Sequence, residues 1–210
     1  MNRPPRDHLL RALVLGLLLT AWFGLIYGGA NYLTGLRALR IRIHFDWELG
    51  LPFLPPAVLG YLSIIPLFGL SPFVLHSRRE IEALAATLAA VIFAGGLSFL
   101  LVPAQAAYPA PPVLGRWSTL VGFARSCALQ YNMLPSLHVA LGVACVSSYS
   151  RDARARTKAL LWSWSALLAL STLALHQHHV ADVAAGLALG LAVERSIYRR
   201  FTRRPAPLSA

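Results

Sequence analysis

The sequence predicts an all-α, polytopic integral membrane protein with six transmembrane helices in one bundle. Three observations lead there. Of the 210 residues, 57% are hydrophobic and only 13% are charged, where a soluble domain carries about a quarter charged residues. Several apolar runs approach the ~20 residues that a ~30 Å hydrocarbon core requires. The lysines and arginines, 19 in all, punctuate those runs and do not line one face. Despite a net charge of +11, they read as topology signals and lipid-headgroup contacts, and nucleic acid is set aside as a partner.

The candidate spans lie near 10–33, 54–75, 82–103, 134–150, 159–176 and 179–197. The first follows Arg3, Arg6 and Arg11, as a signal peptide would. It is long for a signal's apolar region and no soluble domain follows it, so it reads as a retained span. The second is interrupted by Pro55, Pro56, Pro66 and Pro72, which implies kinks or an interfacial entry. Span four opens on PSLH, where Pro135 suits a helix start and Ser136 is a natural cap. Span six holds Ala181, Ala184, Ala185, Gly186, Ala188 and Gly190, the composition of a closely packed interior helix. Cys127 and Cys145 lack metal-ligand spacing, and Cys145 reads as a small core residue. The whole is expected to form one domain over 1–204, most characteristic over 82–197, with a disordered tail at 205–210.

Counting cations by side orients the bundle. Fourteen fall at the N-terminus, around Arg78 and Arg79, within 151–158 and in the tail 195–204. Five fall on the other side: Arg37, Arg40, Arg42, Arg116 and Arg125. Both termini are therefore expected in the cytoplasm. The arginine- and alanine-rich composition suggests a bacterial inner membrane. The 104–133 loop, PSLH and the turn HQHHV then share the outer, periplasmic face.

Ionisable residues entering a span mark function by default. His178 and Asp182 are four apart, one face of a helix. A carboxylate accepting from one ring nitrogen leaves the other free as nucleophile or base. His179, three residues from Asp182, rivals His178 on spacing alone, whereas His176 has no acid partner and reads as interfacial. At the start of span four, a helix N-terminus with the Ser136 hydroxyl suits an anion. His138, half a turn on, is placed to protonate a leaving oxygen. Together these parts describe phosphoryl transfer, one histidine attacking phosphorus while a second serves the leaving group.

PSLH followed by S-T-x5-H-x3-D (Ser171, Thr172, His178, Asp182) resembles the two C-terminal signature motifs of the type 2 phosphatidic acid phosphatase superfamily. The resemblance implies a six-helix membrane fold acting on lipid phosphate esters by a phosphohistidine mechanism, with no metal and no other cofactor. It implies His178 as nucleophile, Asp182 as its orienting partner and His138 as general acid, and its H-x3-D spacing selects His178 over His179. The family's first motif, K-x6-R-P, has no counterpart: Pro103 and Ala110 stand for its lysine and arginine, and Thr172 stands where an arginine usually follows the serine. A phosphate monoester carries up to two negative charges and is best held by arginines; a diester carries one. The loss tilts the expectation toward headgroup transfer from a phosphodiester lipid to an alcohol, the pattern that the inositol phosphorylceramide and sphingomyelin synthase branch resembles. The proline-broken second span resembles that branch too. An ordinary lipid phosphate phosphatase is the alternative, its cations supplied by Arg116 and Arg125. A non-catalytic scaffold or transporter is the third. Ser136, Ser171, Tyr131 and Asn132 are the remaining candidates for substrate binding. The partner is a membrane lipid; its identity and the oligomeric state are not written in one sequence.

Overall fold

A computed structural model describes residues 4–109 and 114–203. The tail expected to be disordered, 205–210, together with Arg3 and Ala110, lies outside the described residues. All regular elements among the described residues are helical.

Helix α1 spans Arg6–Gly35. Leu10, Leu13, Leu17, Leu18 and Leu25 project from it largely uncovered, an apolar surface of the kind that lipid or a partner covers. The second apolar run is not one helix. It breaks into α2 (Val58–Leu62), α3 (Ile64–Gly69) and α4 (Ser71–Val74), entered through a short 3₁₀ turn at Pro55–Ala57. Proline lacks the N–H that a continuous helix needs, so the breaks follow the prolines.

Helix α5 (Arg78–Leu101) starts at a capping box: Ser77 Oγ accepts from Glu80 N, and the Glu80 carboxylate accepts from Ser77 N at 2.8 Å. The loop beyond it contains an element that composition did not announce, the ten-residue α6 (Ser118–Cys127). Helix α7 (Leu137–Ser150) is the hub, with every residue buried except His138. Helices α8 (Ala155–Ala174) and α9 (Val180–Ser196) complete the bundle, and the short α10 (Tyr198–Thr202) folds back so that Tyr198 enters the main core.

Two helices among the described residues, α1 and α5, are long and apolar enough to cross a membrane. Helix α7 is apolar but has 14 residues, about 21 Å at 1.5 Å per residue.

Helix α9 lies closest to α7 along one face. A Cβ at Gly186 would stand 2.5 Å from the Ser136 carbonyl oxygen, and one at Gly190 would stand 2.5 Å from that of Ala140. Only glycine permits this approach, the small-xxx-small logic of helix pairs. The interior position expected for this helix holds for that face alone, since Ala184, Leu187 and Ala188 on the opposite side are exposed.

The helix ends sort into two groups. At one end the N-terminus meets the 75–82 segment, with His8 Nε2 donating to the Leu75 carbonyl at 2.9 Å and Arg11 paired with Glu82. The Arg151 guanidinium donates to Thr202 Oγ1 there. At the opposite end the 36–54 loop, the 102–109 segment and the α8–α9 turn come together.

Candidate active site

The α8–α9 turn is held from several directions. Leu54 N donates to the Ala174 carbonyl at 2.9 Å, and His176, at a left-handed φ of 54°, ends the helix. From this turn α9 starts, and Asp182 in its first turn is fully buried. Asp182 Oδ2 accepts from the His179 backbone N–H at 2.8 Å and faces His178 Nδ1 at 3.3 Å. A carboxylate only accepts, so Nδ1 carries the proton and Nε2 of His178 keeps its lone pair. Asp182 Oδ1 has no partner among the described residues.

His179 is fully buried and engaged at both nitrogens. Nδ1 donates to Glu48 Oε2 at 3.2 Å, and Nε2 accepts from Ala107 N at 3.1 Å. Its ring is stacked by Tyr108 at 4.4 Å between centroids, and His44 lies tilted against it at 5.2 Å. A nitrogen filled by a backbone N–H has no lone pair left for phosphorus, so the geometry separates the two adjacent histidines that helical spacing could not.

Glu48 is the residue that sequence reasoning missed. Fully buried in a 3₁₀ turn (Asp46–Gly50), it accepts from Phe45 N at 2.9 Å, Val180 N at 2.8 Å and the His179 ring. Burial pushes its carboxyl pKa up, but these hydrogen bonds and the neighbouring histidine outweigh that and hold it below its ordinary value. Tyr108 moves the other way: burial and the Glu48 and Asp182 charges raise its phenol, which stays protonated. In sequence Glu48 stands two residues after Asp46 in a loop that also carries Arg37, Arg40, Arg42 and His44, and nothing local singles it out.

The second histidine arrives through α7. Ser136 caps that helix, its Oγ accepting from Val139 N at 3.3 Å, and Ser136 N donates to the Asp182 carbonyl at 2.9 Å. The two motifs are thus joined directly by backbone. His138 stacks on Tyr61 at 4.0 Å, and its Nε2 donates to the Tyr61 carbonyl at 2.9 Å, leaving Nδ1 as the second ring nitrogen.

His138 and His178 both line one cavity of about 710 Å³, with Gln177, Asn132 and Tyr27 at the same end. The remainder is apolar, running between α1 and the α2–α4 segments over a floor of α5 and α7. Along α1 the lining extends from Tyr27 to Leu9, about 27 Å at 1.5 Å per residue. Leu13, Leu17 and Ile65 line it while 59%, 62% and 57% exposed, so it is a groove open along its side.

Of the sequence candidates, His178 and Asp182 are in contact, and His138 and Asn132 share the cavity with His178. Asn132 Nδ2 donates to the Tyr27 carbonyl at 2.7 Å, and its Oδ1 has no partner among the described residues. The others are not in the lining. Ser136 is buried in its capping role, and Ser171 Oγ donates to the Leu168 carbonyl at 2.6 Å. Tyr131 lies beneath the Arg40 guanidinium, 4.4 Å away. Arg116 lies over the Trp117 ring, and Arg125 is exposed on α6. No lysine or arginine lines the cavity among the described residues.

A model of the PAP2 superfamily matches residues 42–194. That stretch covers most of the chain, and the chain belongs to this superfamily, whose chemistry is phosphatase or phosphotransferase action on phosphate esters. The match includes Glu48, both histidine motifs and Asp182, and leaves α1 outside. No curated protein and no solved structure matches the chain significantly.

Proposed function

We propose that this protein is a membrane-embedded phosphotransferase that moves the phosphoryl headgroup of a phosphodiester lipid to an alcohol, through a phosphohistidine at His178. The observation that carries the reading is a cavity with two histidines at its head, an apolar groove behind them and no cation in its lining among the described residues. A monoester with up to two charges is poorly held there, whereas a singly charged diester needs less compensation. The long, side-open groove suits a hydrocarbon tail entering from lipid. The chain crosses the membrane six times as one domain, with both termini in the cytoplasm and the histidines at the periplasmic face. The cation count and the grouping of the helix ends support that arrangement.

In the reaction, His178 Nε2 attacks phosphorus while Asp182 holds Nδ1–H and stabilises the charge that develops on the ring. The bond from phosphorus to the glycerol oxygen breaks, and His138, entering as the imidazolium with its Nε2–H held on the Tyr61 carbonyl, delivers its Nδ1 proton to that oxygen. The acceptor hydroxyl then gives its proton to His138 and attacks phosphorus, releasing His178. Asn132 Oδ1, at the cavity head, accepts from a headgroup or acceptor hydroxyl.

The family's namesake activity favours a second reading, hydrolysis of a lipid phosphate monoester, with Arg116 and Arg125 folding over the site. Purified protein supplied with a phosphodiester lipid and a diacylglycerol or ceramide acceptor, against phosphatidic acid alone, separates the two. The expected result is headgroup transfer that vanishes in His178→Ala. Phosphate release from phosphatidic acid, lost in the same variant and without transfer, establishes the phosphatase instead.

A further inference from the structure

The end of the molecule away from the histidines has a hollow of its own, about 600 Å³, lined by Ser147, Ser150, Arg151, Lys158, Trp162, Arg199 and Arg203. Three separate stretches build it: the end of α7, the start of α8, and α10 with the residue after it. Cations that only report topology need to be on one side of a membrane, not to converge on one concavity. Two of these are held in place. Arg199 Nε donates to the fully buried Glu194 at 3.1 Å, and the Arg151 guanidinium donates to Thr202 Oγ1. Lys158 and Arg203 have no ion-pair partner among the described residues. The nearby acids among the described residues are Glu194, engaged with Arg199, Glu80, engaged with Ser77 in the α5 capping box, and the exposed Asp152 in the α7–α8 turn.

The lining also supplies one free hydroxyl donor. Ser150 Oγ already donates to the Ser147 carbonyl at 3.2 Å. Ser147 is 5% exposed, and its own hydroxyl bonds to nothing among the described residues. Trp162 stands beside them, half-buried, as interfacial tryptophans do. Converging guanidinium, ammonium and hydroxyl donors around an open hollow fit a phosphate group, and the aromatic rim fits a lipid bearing it.

We propose that this hollow binds the phosphate of an anionic membrane phospholipid, at a site separate from the histidine cavity. It rests on the reading that the chain lies in a membrane and is independent of what the histidines do. Preorganised Arg151 and Arg199 give the site its geometry, and Lys158 and Arg203 respond to the ligand.

Full-length protein in detergent, titrated with phosphatidylglycerol or phosphatidylethanolamine and read by native mass spectrometry, tests it without any turnover. Inorganic phosphate at millimolar concentration serves as the third arm, read by thermal shift. The wild type is expected to prefer phosphatidylglycerol about tenfold or more, at roughly 1 kcal/mol per cation near a lipid surface. The double variant Lys158→Gln/Arg203→Gln removes the two unpaired cations and should lose that preference while keeping its lipid-free melting temperature. Equal binding of both lipids by the wild type, or an unchanged preference in the double variant, overturns the proposal. Stabilisation by inorganic phosphate as large as that by phosphatidylglycerol overturns the lipid assignment in favour of a soluble anion. A protein that retains no lipid of either kind removes the membrane reading itself, a different outcome from lipid bound without preference for charge.

Discussion

At one end of the molecule two carboxylates, Glu48 and Asp182, are fully buried beside His178 and His179, and among the described residues no cation lines the adjoining cavity. At the other end four cations surround a hollow whose buried acid, Glu194, is tied to Arg199. The difference lies in what charge is for. At the histidine end buried acids fix ring orientation and tautomer, a task for hydrogen bonds of set geometry. At the basic end exposed cations meet something in solvent or lipid, where geometry matters less and sign matters more. A protein holding a dianionic monoester would be expected to line its cavity with arginines. Here the five arginines of the first end stay out of the lining among the described residues, and four cations converge on the hollow at the second.

The largest effects should come from breaking the histidine end. Asp182→Asn would present an amide that can donate to Nδ1 and so favours the wrong tautomer, with about a 10⁴-fold loss of turnover expected by analogy with other acid–histidine pairs. Circular dichroism of the purified variant checks that the fold persists. Wild-type rates in that variant mean that Asp182 is a helix cap and nothing more.

Next comes the contact that joins the two motifs. Gly186→Ala forces a Cβ against the Ser136 carbonyl, and overpacking of this kind costs about 1–3 kcal/mol. Gly16→Ala on α1 meets open space and should be neutral or mildly stabilising. Equal melting temperatures for the two variants would mean that α7 and α9 are not packed as described.

Glu48→Gln probes the buried carboxylate and is expected to cost about 1–3 kcal/mol, because hydrogen bonds to a charged acceptor become neutral ones. Its pH signature carries a definite sign. The folded-state pKa of Glu48 lies below its ordinary value near 4.5, so its stabilisation is complete above that value. It is lost as pH falls through the depressed one. The stability gap between wild type and Glu48→Gln, followed by thermal unfolding, should therefore be constant at neutral pH and narrow below about pH 4.5. A gap that widens in acid reverses the assignment.

The smallest effect sharpens the comparison most. Arg116 and Arg125 are exposed and outside the cavity, so Arg116→Ala/Arg125→Ala should change turnover less than about twofold, as surface substitutions usually do. A tenfold loss in kcat/KM would bring those cations to the substrate and favour the phosphatase.

How much of this was legible in the sequence follows from range. The Ser136 cap and the prolines that break the second run are local, and local rules read them correctly. The four-residue spacing of His178 and Asp182 does bring them into contact, but not along one helix face, because α9 starts at Val180 and His178 lies in the turn before it. Choosing between His178 and His179 from residues alone was not possible, because the deciding partners, Glu48 and Ala107, lie 131 and 72 residues away. Burial of Ser171 and exposure of Arg125 are tertiary facts of the same kind. Helix α6 was overlooked because ten residues at the end of a long loop give little periodicity to count. The length of α7 was overestimated because PSLH reads as part of the apolar run, whereas the helix itself starts at Leu137.

The central claim is a covalent bond from phosphorus to His178. Protein mixed with a phosphodiester lipid, without acceptor, is quenched in base, digested and measured by mass spectrometry, since phosphohistidine survives base. The account predicts a headgroup-phosphoryl adduct on the peptide bearing His178, absent in His178→Ala and discharged when an alcohol acceptor is added before quenching. An adduct on His138 or His179 instead, or transfer proceeding at full rate in His178→Ala, would contradict it.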